Sequence, residues 1–139
     1  MSRKKDGPTG RVILSHVALA SSSEEGADKF FGDLLGLQKS EPKILPEALA
    51  RALFGVGSDL RVINYANDRS RFEIFILPGG RVLGEAGRVE HVCLEIDGLE
   101  EFLQTCGRLS LKILRVPKGD SLLTFVADED GHLFELKER

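Results

Sequence analysis

The sequence predicts an α+β fold made of two βαβββ modules, one in each half of the chain. Three observations carry this. First, His16-Val17-Ala18-Leu19 is answered downstream by Phe72-Glu73-Ile74, and His91-Val92-Cys93-Leu94 is answered by Phe134-Glu135-Leu136. Second, strand and helix patterns follow the same order in both halves. Third, the two halves differ in length at one place. From His16 to Glu73 is 57 residues and from His91 to Glu135 is 44, and the excess matches an extra helix with its glycines near 46–57. An internal repeat with one insertion explains all three.

The elements follow in order. Residues 11–20 read as a strand. Ser21-Ser22-Ser23 before Glu24 and Glu25 is a helix N-cap signature, because hydroxyls and carboxylates satisfy the free amides of a first turn. Ala27, Phe30, Phe31, Leu34 and Leu35 recur at helical spacing, and Gly36 stands where a glycine ends a helix. Residues 37–43 predict a short strand. Pro46 suits the start of a short helix over 47–53, closed by Gly55 and Gly57. Residues 60–65 and 71–77 predict a hairpin around Asn67-Asp68. Pro78-Gly79-Gly80 ends module one, residues 11–80. Module two, residues 88–139, predicts strands over 89–97, 111–116, 122–127 and 133–137 and a helix over 99–106. Asp128-Glu129-Asp130-Gly131 reads as an acidic turn, its glycine free to take a positive φ. No EF-hand spacing is present around it.

Composition narrows the function classes. The 139 residues suit one domain, with residues 1–10 a basic, turn-rich tail that lacks the apolar core of a signal peptide. The net charge of −3 argues against nucleic-acid binding. No apolar run reaches membrane-spanning length. Cys93 and Cys106 are too few for a disulfide scaffold and point to a reducing cytoplasm.

The repeated polar residues are the chemical signal. Strand side chains alternate faces, so Glu73 shares a face with Phe75 and Leu77, Glu135 with Leu133, and His16 with Leu14 and Ala18. An ionised carboxylate among apolar neighbours is costly unless paired, hydrogen-bonded or bound to a metal. One divalent cation held by His16, Glu73, His91 and Glu135 satisfies all four. Mixed nitrogen and oxygen ligands suit Zn, Ni, Co, Mn or Fe(II) alike. His16, His91 and Glu135 alone would form a facial triad for non-haem iron, and Glu73 argues against that by filling a fourth position. Lys112, Arg115 and Lys137 are available for ordinary salt bridges instead. Glu95, Glu47, Cys93 and His132 are weaker candidates. Glu95 shares parity with His91, and Glu47 sits on the inserted helix, whose default is a solvated face. Cys93 reads as a pocket spectator, and His132, in the acidic turn, as a surface residue.

The stretches "LSHVALA…KFFGDLLGL", "RFEIFILPGG", "VEHVCLEIDGLEEF" and "FVADEDGHLFELKER" resemble the vicinal oxygen chelate superfamily. It includes glyoxalase I, methylmalonyl-CoA epimerase, extradiol dioxygenases and the fosfomycin and bleomycin resistance proteins. The resemblance covers almost the whole chain after Gly10, apart from the insertion at 46–57. It implies that the two modules curl into a cup-shaped, eight-stranded mixed sheet around a divalent metal. The family's ligand positions fall on His16, Glu73, His91 and Glu135, and glyoxalase-type chemistry assigns proton transfer to Glu73 and Glu135. It further implies a small 2-oxo or thioester substrate, isomerase or lyase chemistry and a homodimer. The alternatives are an Fe(II) dioxygenase and a protein that sequesters a small molecule in the same cup. Glyoxalases carry a basic residue just after the first histidine, where this chain has Val17-Ala18-Leu19-Ala20. They also carry a polar residue shortly after the first glutamate, where this chain has Ile76-Leu77.

Overall fold

The computed structural model describes residues 14–77 and 92–139. In order these form β1 (Val17–Ser21), α1 (Glu24–Ala27), a π-helical segment continuing it (Asp28–Leu34), β2 (Gln38–Lys39), β3 (Lys43–Leu45), α2 (Glu47–Phe54), β4 (Leu60–Ala66) and β5 (Arg71–Ile76). The second module follows as β6 (Val92–Ile96), α3 (Leu99–Arg108), β7 (Ile113–Lys118), β8 (Ser121–Ala127) and β9 (Leu133–Glu138). The expected tail, the strand start at 11–13, the Pro78-Gly79-Gly80 stop and His91 lie outside the described residues. No described helix is long and apolar enough to cross a membrane.

Two sheets result. One runs β1-β5-β4-β2, with β3 also on β4, and the other runs β6-β9-β8-β7. The segment expected as one strand over 37–43 is two short strands. Pro42 lies between them, and a proline has no N–H to continue a ladder. In each module the first strand pairs parallel with the last, and the register repeats. Val17 faces Phe72 and Ala18 faces Glu73, while Val92 faces Phe134 and Cys93 faces Glu135. The repeat seen in the letters is therefore a repeat of strand register.

The core lies on one side of both sheets. Phe72, Ile74 and Ile76 of β5 alternate inward, as do Phe134 and Leu136 of β9. The π-helical winding, marked by Leu35 N–H donating to the Phe30 carbonyl five residues back at 3.0 Å, presents the consecutive Phe30 and Phe31 to this core. Phe30 and Phe31 meet Phe134 with ring centroids 4.7 and 6.0 Å apart. One aromatic cluster thus joins the two modules. Beside it, the Tyr65 hydroxyl donates to Asp28 Oδ1 at 2.7 Å, and burial together with this bond raises the phenol far above its ordinary range.

A second junction is polar. Ser23 Oγ accepts from Gly26 N–H at 3.0 Å, the expected N-cap, and donates to Glu129 Oε2 at 2.8 Å. Ser22 adds bonds from its hydroxyl to Glu129 and from its N–H to Asp130 Oδ2, both at 2.9 Å. The acidic turn of module two is therefore a clasp on the helix start of module one, where carboxylates are favoured. Gly131 takes the expected positive φ, 89°. His132 is not a surface residue: it is 7% exposed and its Nδ1 sits 2.8 Å from Asp128 Oδ2. Ser23→Ala removes both the cap and one clasp bond. It should cost about 1–2 kcal/mol, read as a lower urea midpoint at unchanged slope.

Candidate metal and substrate site

The face of the first sheet opposite the core carries the predicted residues of module one. Register places Ala18, Glu73 and Asn64 in one row across β1, β5 and β4, and Ala20, Phe75, Val62 and Lys43 in the next. His16 stands just before β1 and reaches the first row, its Nε2 3.4 Å from Glu73 Oε1. Both side chains are about one-third exposed or less, at 33% and 27%. Arg71 reaches the other ring nitrogen, 3.1 Å from Nδ1. A guanidinium only donates, so Nδ1 accepts and the neutral ring carries its proton on Nε2, facing Glu73.

These residues floor a groove of about 460 Å³. Its floor is His16, Ala18, Asn64, Glu73 and Val62, and its walls are Lys43, Ile44 and Leu45 of β3, Leu53 and Phe54 of α2, and Phe75. Asn64 Oδ1 is buried and has no hydrogen-bond partner among the described residues. Sequence reasoning missed Asn64, Lys43 and Arg71. Asn64 joins Glu73 only through the hairpin register, which is fixed where Asn67 Oδ1 accepts from the N–H groups of Arg69 and Ser70. Parity within one strand does not reveal that partner.

In module two, Glu135 lies opposite Cys93 and Phe125 on the face away from Phe134 and Leu136. Cys93 is exposed, and its thiol is pushed up by partial burial and then by the Glu135 charge. Glu95 is exposed on β6. Glu47 is exposed and paired with Arg51 along α2, the solvated role expected of it. Among the described residues no three His, Cys, Asp or Glu side chains stand close enough to hold one ion. His91 lies outside the described residues, so the four-residue set is not assembled there.

The His16–Glu73 pair suits two ligands of one ion. Ligands about 2.1 Å from a common metal are about 3.4 Å apart at the tetrahedral angle. The ring must then present Nε2 without its proton, which requires Arg71 to release Nδ1. Removing the guanidinium would also remove a like charge beside any cation held by this pair. Arg71→Met should strengthen divalent-metal binding by about tenfold, measured by competition against a chromophoric chelator.

No family model matches the chain, and no curated relative matches it. Solved structures do. A glyoxalase family protein from Enterococcus faecalis aligns with a TM-score of 0.67 at 20% identity, over 91% of this chain and 97% of that one. A glyoxalase family protein from Bacillus cereus aligns with a TM-score of 0.68 at 17% identity, over 96% and 98%. The fosfomycin resistance protein FosX from Listeria monocytogenes, in a mutant complexed with Mn(II) and 1S,2S-dihydroxypropylphosphonic acid, aligns at 0.65 and 16%, over 89% and 87%. The chain therefore has the glyoxalase-type fold. Glyoxalase proteins and FosX match it about equally well, so the likeness singles out neither.

Proposed function

We propose that the chain is a metal-dependent enzyme moving a proton on the carbon beside a carbonyl of a small 2-oxo or thioester substrate, as an isomerase or lyase. The observation that carries this is the His16–Glu73 pair, close enough to share one ion and set into the floor of a groove. His16, Glu73, His91 and Glu135 would hold the ion. It would supply Lewis acidity to two adjacent substrate oxygens. In this reading Glu73, half-buried beside Asn64, would take and return the proton, and Glu135 would be its counterpart in module two. The FosX complex with Mn(II) supports a divalent ion in this fold without fixing its identity. The residues at 17–20 and 76–77 lack the polar groups of glutathione-using relatives, so the reading stops short of a glutathione conjugate.

A homodimer completes the site in this reading. Among the described residues, those lining the groove all fall between His16 and Phe75. Module two meets module one through the aromatic cluster, on the opposite face of the sheets. A second copy would bring His91 and Glu135 to the groove. In the sequence His91 precedes Val92 as His16 precedes Val17, and the register from Val92 onward repeats that from Val17.

The Arg71 bond to His16 favours a second reading, a groove that binds a small molecule without metal. Two measurements decide between them: metal stoichiometry of the purified chain, and NMR detection of solvent deuterium entering the α-carbon of 2-oxo acids. Stoichiometric metal with metal-dependent exchange supports the enzyme. Ligand binding with no metal uptake supports the binding protein.

A further inference from the structure

The groove is chemically lopsided, and the inserted segment makes it so. Leu53 and Phe54 of α2 are 63% and 51% exposed, and Ile44 of β3 is 58% exposed. Phe54 packs edge-on against Phe75 with ring centroids 5.1 Å apart, continuing the apolar wall from α2 onto the sheet. The floor beside this wall is polar. Asn64 offers a buried oxygen with no hydrogen-bond partner among the described residues. Such an acceptor is costly to leave empty, and a hydroxyl from a ligand would satisfy it. Lys43 pairs with Val62 across β3 and β4, which makes it the diagonal neighbour of Asn64, about 7–8 Å away along the sheet. Among the described residues it has no ion pair, and it stands on the groove wall.

We infer that the groove takes an amphiphilic hydroxy acid. Its carboxylate pairs with Lys43, its hydroxyl donates to Asn64 Oδ1, and its aliphatic or aryl arm lies on Leu53, Phe54 and Phe75. Lys43 sets the orientation by drawing the carboxylate to the β3 wall. At the other end Glu73 lines the groove and opposes an anion, while Arg71 is bonded to His16 and is not among the lining residues. The volume, near the lower end of the 300–1,000 Å³ usual for ligand pockets, admits a medium-length arm rather than a bulky conjugate. This inference rests on the groove being the binding site and concerns the ligand held there, which as a hydroxy acid is neither the 2-oxo compound nor the thioester named for the reaction.

Calorimetric titration of the full chain with 2-hydroxyoctanoate, lactate and methyl 2-hydroxyoctanoate tests it, in EDTA and again with Mn(II). A half-buried methylene is worth about twofold in affinity, so the five extra methylenes should favour 2-hydroxyoctanoate over lactate by about 30-fold. The exposed ammonium should favour the acid over its ester by about fivefold. Lys43→Met should abolish the acid preference, and Leu53→Asp, at an exposed site, should shrink the chain-length preference. Equal binding of the long and short acids, or of acid and ester, overturns the inference. So does a Leu53→Asp variant that changes only the sedimentation coefficient, which would make the wall a protomer contact. Both preferences present in EDTA with no response to Mn(II) uphold this inference and overturn the metal reading. Mn(II)-strengthened binding without either preference does the reverse.

Discussion

Glu73→Ala and Glu135→Ala should each weaken divalent-metal binding by more than about 100-fold, beyond what loss of an outer-shell group costs. An equal mixture of the two variants, unfolded and refolded together, should regain about a quarter of the wild-type sites. The recovery follows from symmetry. In the proposed homodimer half of the dimers would be mixed, and each mixed dimer would have one site with an intact Glu73 from one copy and an intact Glu135 from the other. If both glutamates came from a single chain, every site in the mixture would lack one of them and nothing would return. Metal content per chain, before and after mixing, separates these outcomes without any substrate. Failure of either single variant to lose metal would sink the ligand assignment itself.

Phe134→Ala should destabilise the chain by about 3–5 kcal/mol. Phe134 is fully buried and touches Phe30, Phe31 and Phe72, so truncation opens a cavity between the modules. Against a typical total of about 5–15 kcal/mol, that loss brings the protein close to unfolding at 37 °C. Urea denaturation followed by circular dichroism measures it. A double-mutant cycle with Phe72→Ala should show a coupling of about 0.5–1.5 kcal/mol, the aromatic contribution beyond simple burial. A shift below about 1 kcal/mol for Phe134→Ala would mean that the modules do not share this core.

The βαβββ order, the α1 N-cap at Ser23 and the inserted helix were legible in the sequence because each is local. Capping, helical spacing and strand alternation act within a few residues. The His16–Glu73 pairing was legible only because the repeat supplied a second instance of it. What escaped were contacts set by register between strands. Asn64 reaches Glu73 across a hairpin, Lys43 reaches Asn64 diagonally across two strands, and Arg71 reaches a histidine 55 residues away. Pro42 marked a break that the strand pattern over 37–43 ran through. His132 was misplaced for a related reason. Its turn looked exposed when read alone, yet the turn is covered where Glu129 and Asp130 meet the serines of the other module.

The parallel pairing of first and last strands has a consequence for the order of events in a growing chain. Ser21 accepts from Leu77 N–H at 2.8 Å, and Ile96 accepts from Arg139 N–H at 2.9 Å, so each module is sealed by its own final residues. His16 and Glu73 become neighbours only when β5 has been made and has slotted in beside β1. The groove floor is thus a contact of long sequence separation, slow to form because loop closure must precede any reward. A chain released at 70 residues would carry the histidine, the helix and the wall, yet have no floor to present. The groove floor is therefore completed only when β5, the last strand of module one, is in place.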